Sequence, residues 1–262
     1  MIELKILSEN TTYKREFIST HGLSMVINFN GVKILFDFGQ KEEIFPNAKL
    51  LGENLKDVEI GILSHGHYDH SGGIKKFLEI NKGKIIAHPG IFKKRFSRNT
   101  YIGMDETIKN FKKRFILIEN LKEIFENFYF LGEIKRYERE DESIAGFFTE
   151  DGKVDRVEDD SSILFKAQRG WVLICGCCHS GLFNTIKYIK EKMDIDYFHA
   201  LIGGFHLKNP TKNLNLTLRA LSEIKFEKIY PMHCTGFRGM KFLIKNFPEK
   251  VNNLNCGEKL VL

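Results

Sequence analysis

One seven-residue stretch, Ser64-His65-Gly66-His67-Tyr68-Asp69-His70, constrains this chain more than any other feature. Ser71-Gly72-Gly73 follows it at once, and an apolar run (Ile60, Ile62, Leu63) precedes it. That run reads as a buried strand, so four potential metal ligands sit where a strand turns toward a helix. In extended chain, residues i and i+2 point to one side, which lets His65 and His67 hold one ion together. Asp69 and His70 lie at the turn and can face a second ion. Imidazole with a single carboxylate suits zinc or a similar first-row metal, not the all-oxygen shells of calcium or magnesium. The chain has nine histidines in 262 residues, and three of them at this spacing fit poorly with a solvated loop that is merely rich in histidine.

The rest of the chain alternates strand and helix patterns. Residues 23–28 and 32–36 are strand-like runs joined by Asn30-Gly31, the strongest short-range hairpin signal. Residues 55–62 read as a strand entering the metal loop, 73–80 as a helix leaving it, and 84–87 as a strand. From about residue 89 to about residue 150 no single period holds. Basic residues (Lys93, Lys94, Arg95, Arg98), scattered aromatics and an acidic run (Glu138, Glu140, Asp141, Glu142) suggest a cap and substrate-recognition insert of mixed structure. A hairpin around Arg169-Gly170 follows, from 162–167 and 171–175. Helices over 182–192, 214–224 and 240–247 then alternate with strands over 198–202 and 228–232. Such alternation in both halves fits two sheets packed face to face with helices outside, an αββα sandwich of the α/β (α+β) class.

Bulk properties set limits. The length is enough for one full core, and we expect a single domain over 1–262. The early acid Glu3 and the lack of a long apolar run speak against a secretory signal. No stretch approaches the roughly 18–20 apolar residues of a membrane span. Five cysteines, three of them crowded into Cys175-Gly176-Cys177-Cys178, suggest reduced thiols and a cytoplasmic protein rather than a disulfide framework. A net charge of +6 is diffuse. It permits an anionic small-molecule substrate and argues weakly for nucleic acid, which is not expected as a partner. A symmetric homodimer is the default expectation for oligomeric state.

The pattern His-x-His-x-Asp-His after a strand resembles the central motif of the metallo-β-lactamase superfamily. Phe36-Asp37-Phe38-Gly39 resembles its upstream strand-end Asp-x-Gly, and Pro231-Met232-His233-Cys234-Thr235-Gly236 resembles its last ligand motif. The resemblance runs from about residue 20 to about residue 240. It implies a four-layer αββα metallo-β-lactamase sandwich with a cap-like insert at about 89–150. It also implies one or two divalent ions, zinc ahead of manganese, iron or magnesium. The implied ligands are His65, His67 and His179 for one ion and Asp69, His70 and His233 for the other. Asp37 is expected to orient ligands, since a ligating histidine typically donates its other N–H to a carboxylate or carbonyl. Asp159-Asp160-Ser161 reads either as a similar support or as a solvated turn.

The chain departs from the superfamily at one position. An aspartate bridging two ions usually follows a later strand, and here that place reads Gly203-Gly204-Phe205-His206-Leu207. A second alignment puts Cys177 in that slot instead. His206 is therefore a candidate ligand, general acid or substrate-binding residue, and Asp69 and His206 are the catalytic candidates. Cys177 and Cys178 can offer a thiolate, but no second pair matches them as a separate structural zinc site would require. Cys175 and Cys234 read as small buried apolar side chains. Lys93, Lys94, Arg95, Arg98 and Arg238 are candidate phosphate contacts.

The loops Cys-Cys-His-Ser-Gly, Gly-Gly-Phe-His-Leu and Met-His-Cys-Thr-Gly together resemble one small branch, the metal-dependent hydrolases that include an archaeal dihydropteroate synthase-like enzyme. That likeness implies condensation of a dihydropterin diphosphate with 4-(β-D-ribofuranosyl)aminobenzene 5′-phosphate in tetrahydromethanopterin biosynthesis. The alternatives are a zinc-dependent hydrolase of a small phosphorylated or ester substrate and a catalytically silent small-ligand-binding protein. His67 speaks against the flavin-linked diiron relatives, which typically carry glutamate there. The chain also lacks room for the extra domain of the nucleases.

Overall fold

The computed structural model describes residues 2–138, 146–207 and 211–262, so Glu140, Asp141 and Glu142 of the acidic run lie outside the described residues. The chain divides into two compact units, Met1–Glu119 with Leu254–Leu262, and Asn120–Asn253.

The first unit opens with β1 (Glu3–Ser8), whose Leu4 and Ile6 are buried between half-buried Glu3 and Lys5. Strands β2 (Ser24–Phe29) and β3 (Val32–Phe36) form the expected hairpin. Its two turn residues, Asn30 and Gly31, both have positive φ (51° and 90°), which matches the twist of a two-residue turn to that of the strands. Next come α1 (Ile44–Leu50), β4 (Ile60–Ile62), the single-turn α2 (Tyr68–Ser71), α3 (Ile74–Ile80) and β5 (Lys84–Ala87). A short hairpin, β6 (Arg95–Ser97) and β7 (Thr100–Tyr101), and β8 (Phe115–Leu117) complete this half with the C-terminal strand Lys259–Val261. The sheet order is C-terminal strand, β1, β2, β3, β4, β5, β8. From β3 to β8 the strands run parallel, so their carboxyl ends lie along one edge, the usual place for a site in such sheets.

Strand β4 is shorter than its hydropathy suggested. Leu55–Asp57 forms a 3-10 turn instead, capped by the Asn54 side chain, which accepts from the backbone N–H of Lys56. Helix α3 buries Ile74, Phe77 and Leu78 at i, i+3 and i+4 in a core with Leu35, Phe38, Leu63 and Ile85. Burying side chains of this size contributes about 1.5–3 kcal/mol each. Phe77 also meets Phe38 edge-on at 5.2 Å, so Phe77→Ala is expected to cost about 3–5 kcal/mol and to loosen the helix that follows the metal loop.

The second unit contains β9 (Lys122–Phe125), β10 (Phe128–Phe130), β11 (Phe147–Thr149), β12 (Ser162–Ala167), β13 (Gly170–Cys175), α4 (Leu182–Met193), β14 (Tyr197–Gly204), α5 (Thr211–Ser222), β15 (Lys225–Met232) and α6 (Gly236–Asn246). Its sheet order is β15, β14, β13, β12, β10, β9, with β13, β14 and β15 parallel. Its core gathers Leu164, Leu173, Phe198, Leu201 and Ile229 from the sheet with Phe183, Ile186 and Ile189 from α4. The segment read as an insert is mixed, with 3-10 turns at Pro89–Phe92 and Glu106–Arg114. It is also partly sheet, since β8 edges the first sheet and β9 and β10 belong to the second. Among the described residues no helix is long and apolar enough to cross a membrane.

Candidate metal centre

In the first unit His65, His67, Asp69 and His70 follow β4 and are all buried. Asp37, fully buried at the end of β3, organises them. Its backbone is left-handed (φ 55°), a conformation that costs a non-glycine residue about 1–3 kcal/mol and that clusters at functional sites. Asp37 N–H donates to the Ile62 carbonyl at 2.8 Å, and its Oδ1 accepts from Ser64 N–H at 2.7 Å. Its Oδ2 accepts from Ser64 Oγ at 2.8 Å and lies 2.6 Å from His70 Nδ1. A carboxylate only accepts, so His70 Nδ1 carries the proton and Nε2 keeps its lone pair. The single hydroxyl proton of Ser64 goes to Asp37. Ser64 Oγ therefore accepts from His65 Nδ1, 2.9 Å away, which leaves His65 Nε2 as a donor atom for a metal.

The donor set fits a divalent ion. His65 Nε2 and His67 Nδ1 approach to 2.9 Å. Two nitrogens sharing a tetrahedral zinc at 2.0–2.1 Å would stand about 3.3 Å apart. Asp69 Oδ2 lies 4.0 Å from His70 Nε2 and 3.4 Å from Nε2 of His21. His21 sits far upstream in no motif, so no local pattern marks it. The contact is tertiary: Leu23 N–H donates to the Asp69 carbonyl and brings that segment against the loop.

In the second unit the candidate residues come from three loops at the carboxyl ends of adjacent parallel strands. Cys175 pairs with Gly203, and Gly203 with Pro231, so the loops after β13, β14 and β15 leave the sheet at one level. Left-handed backbone recurs in all three, at Cys178 (φ 54°), His206 (φ 45°) and His233 (φ 47°). The His179 and His206 rings lie 4.6 Å apart, and Phe147 meets the His179 ring edge-on at 5.4 Å. Cys177, His206 and Cys234 each place a donor atom within 4.8 Å of the other two. Cys234, expected as a small apolar side chain, is buried but keeps this polar company. Cys175 and Cys178 do join the apolar core. There the hydrogen bond between them, followed by burial, holds the Cys178 thiol well above its ordinary value.

Asp160 supports the same edge and is no solvated turn. It is buried, and its Oδ2 accepts from Ser180 N–H (2.9 Å) and Ser180 Oγ (2.7 Å), next to His179. Its Oδ1 accepts no hydrogen bond among the described residues. Burial pushes its carboxyl up, against the hydrogen bonds from Ser180.

The basic candidates separate. Lys93, Arg98 and Arg238 are exposed, Arg238 in the first turn of α6. Arg95 is fully buried, with Nη2 donating to the Gly90 carbonyl at 3.3 Å. Its Nη1 lies 2.7 Å from where a Cβ on Gly66 would sit, so it braces the metal loop between His65 and His67 and leaves no space for a larger residue there.

The family model of the metallo-β-lactamase superfamily matches residues 20–98, which include the metal loop. The solved structure of Tm1679, a metal-dependent hydrolase of the β-lactamase superfamily, has a TM-score of 0.87 at 26% identity, covering 100% of this chain and 99% of its own. The 7,8-dihydropterin-6-methyl-4-(β-D-ribofuranosyl)-aminobenzene-5′-phosphate synthase of Methanocaldococcus jannaschii is 33% identical over 280 residues, 98% of this chain and 95% of the synthase. The chain belongs to the metallo-β-lactamase superfamily. An uncharacterized protein of the same archaeon is 38% identical across 97% of this chain and 96% of its own length. The two mixed sheets with their helices match the metallo-β-lactamase fold, as the sequence led us to expect.

Proposed function

We propose that this metallo-β-lactamase superfamily member is a metal-dependent transferase of tetrahydromethanopterin biosynthesis. It would join a dihydropterin diphosphate to 4-(β-D-ribofuranosyl)aminobenzene 5′-phosphate. The observation that carries the substrate assignment is the full-length similarity to the archaeal synthase. The Asp37–Ser64–His70 arrangement supports metal dependence, since it presents imidazole lone pairs from a buried loop. In this reading His65, His67, Asp69 and His70 of the first unit are metal ligands, as are His179 and His233 of the second, zinc being the favoured metal. When bound, the ions supply Lewis-acid charge that binds the diphosphate and stabilises it as a leaving group.

The chain's own residues do the rest. The arylamine nitrogen attacks the methylene carbon, the carbon–oxygen bond to diphosphate breaks, and the proton of the amine passes to a base. His206 takes that proton. Asp69 and His70 are held in orientation by the Asp37 network, and exposed Lys93 and Arg238 receive phosphate groups of the substrates.

The similarity to Tm1679 favours a second reading, hydrolysis of a small phosphorylated or ester substrate, with water in place of the amine. Incubating metal-loaded protein with both substrates separates the readings. Condensed product supports the transferase. Release of diphosphate without coupling supports the hydrolase, and tight binding without turnover makes the protein a ligand-binding member.

A further inference from the structure

The second unit holds a cleft of about 660 Å³ between the segment that follows β10 and helix α4. None of the candidate metal ligands lines it. Its helical residues, Tyr188 and Lys192, lie two to three turns down α4 from Leu182, roughly 9–15 Å from the end that follows the His179 loop. We propose that this cleft is a second binding site, for a small organic anion with an aromatic body.

The walls are fixed before any ligand arrives. Leu121, Ile134 and Tyr188 form the apolar lining, and all three pack into the core of the unit. Asn184, fully buried in α4, clamps the segment after β10 to the helix. Its Oδ1 accepts from Tyr137 N–H (2.9 Å) and Glu138 N–H (3.0 Å), and its Nδ2 donates to the Glu138 carbonyl at 2.8 Å. On the other side Arg136 Nη2 donates to the carbonyls of Arg156 (2.5 Å) and Val157 (3.3 Å), which ties in the turn before β12. A wall already ordered costs less to bind against.

Charge and size choose the ligand. Lys135, Arg136, Arg156 and Lys192 line the cleft against two carboxylates, Glu133 and Glu158, so positive charge is in excess. Arg156 and Lys192 are exposed and form no ion pair among the described residues. Arg136 Nε and Nη1 donate to no described residue, so the rest of its donor fork remains for a ligand. Burial pulls its guanidinium below the ordinary value in spite of Asp160, a cost that a bound anion offsets. The cleft falls in the range of small-molecule sites, roughly 300–1,000 Å³, and an inorganic anion alone would leave most of it to water. The Tyr188 ring and the flat Arg136 guanidinium both offer faces on which an aromatic ring stacks.

The site is tested by titrating the whole, metal-loaded protein calorimetrically with anilinonaphthalene sulfonate, an aromatic anion. The expected result is saturable binding that weakens by roughly tenfold in the double variant Arg156→Glu, Lys192→Glu. Binding should be unchanged in Lys153→Glu, which reverses an exposed charge outside the cleft. It should also persist in His65→Ala. Nuclear Overhauser contacts from the probe to the Tyr188 ring and to the Leu121 and Ile134 methyl groups locate it in the wild type, so the test stands even if a variant misfolds. No saturable binding, or equal affinity in the double charge reversal, would overturn the site. Loss of binding in His65→Ala, or contacts only to residues outside the cleft, would place the probe elsewhere and also overturn it. Inorganic phosphate binding there as tightly as the probe would overturn the aromatic part of the assignment. The metal centre of the proposed function stands or falls separately, on metal content and turnover.

Discussion

The two candidate loop systems differ in how the chain builds them. In the first unit one contiguous loop carries His65, His67, Asp69 and His70, and one buried carboxylate, Asp37, holds it from the neighbouring strand. In the second unit three loops carry one or two candidates each, and the parallel ladder of β13, β14 and β15 brings them to one level. The first system depends on a hydrogen-bond network around a short motif. The second depends on sheet register and on three left-handed turns. Damage to the first should therefore act through metal affinity, and damage to the second through both fold and affinity.

The largest expected effects separate the two systems at their ligands. Asp69→Ala and His179→Ala should each lower metal affinity and turnover by more than the roughly 10–100-fold typical of an outer-shell partner. Equilibrium dialysis with elemental analysis checks the first quantity and the coupled-product assay the second. Asp37→Asn should fall within that 10–100-fold range, because one oxygen acceptor for Ser64 survives while the charge facing His70 is lost. If Asp37→Asn bound metal like the wild type, the organising role assigned to that carboxylate would be wrong.

The candidate metal loop was legible in the sequence because its candidate ligands are close in sequence and follow an apolar strand, and β3, β5 and β12 fall at the expected bounds. β1 and the C-terminal strand were not anticipated. They pair Glu3 with Val261 across nearly the whole chain, and no local signal announces such a partner. Helix α1 contains Pro46 and lacks a side-chain cap, so its pattern was weak. The proximity of His21 to Asp69, and of Cys234 to Cys177 and His206, comes from tertiary approach alone.

Smaller effects sharpen the contrast. Burial holds the Asp160 carboxyl above its ordinary value, so the folded state favours the protonated form. The stability this group contributes is fully present below the ordinary carboxylate value, about 3.9, and is lost as pH rises through the raised folded value. Asp160→Asn should flatten that part of the pH–stability curve in urea unfolding, and it retains an acceptor for Ser180. A curve unchanged by the substitution would contradict the burial of an ionisable carboxyl there. The smallest effect belongs to Glu53, which pairs with Lys5 of β1 and Lys33 of β3. Burial raises its carboxyl, but hydrogen bonds from Lys33 and Lys5 outweigh this and leave it lowered overall. Its contribution is present above the ordinary value and is lost as pH falls through the folded one. Glu53→Gln should cost about 0–1 kcal/mol, less at high salt, with metal affinity unchanged.

The proposed function stands on metal binding by the buried histidine loop of the first unit. Its most direct test measures zinc content and substrate turnover on the same preparations of wild type and His67→Ala. One or two equivalents are expected in the wild type, with less metal and a matching loss of turnover in the variant. A variant that keeps full metal content and full turnover would contradict it.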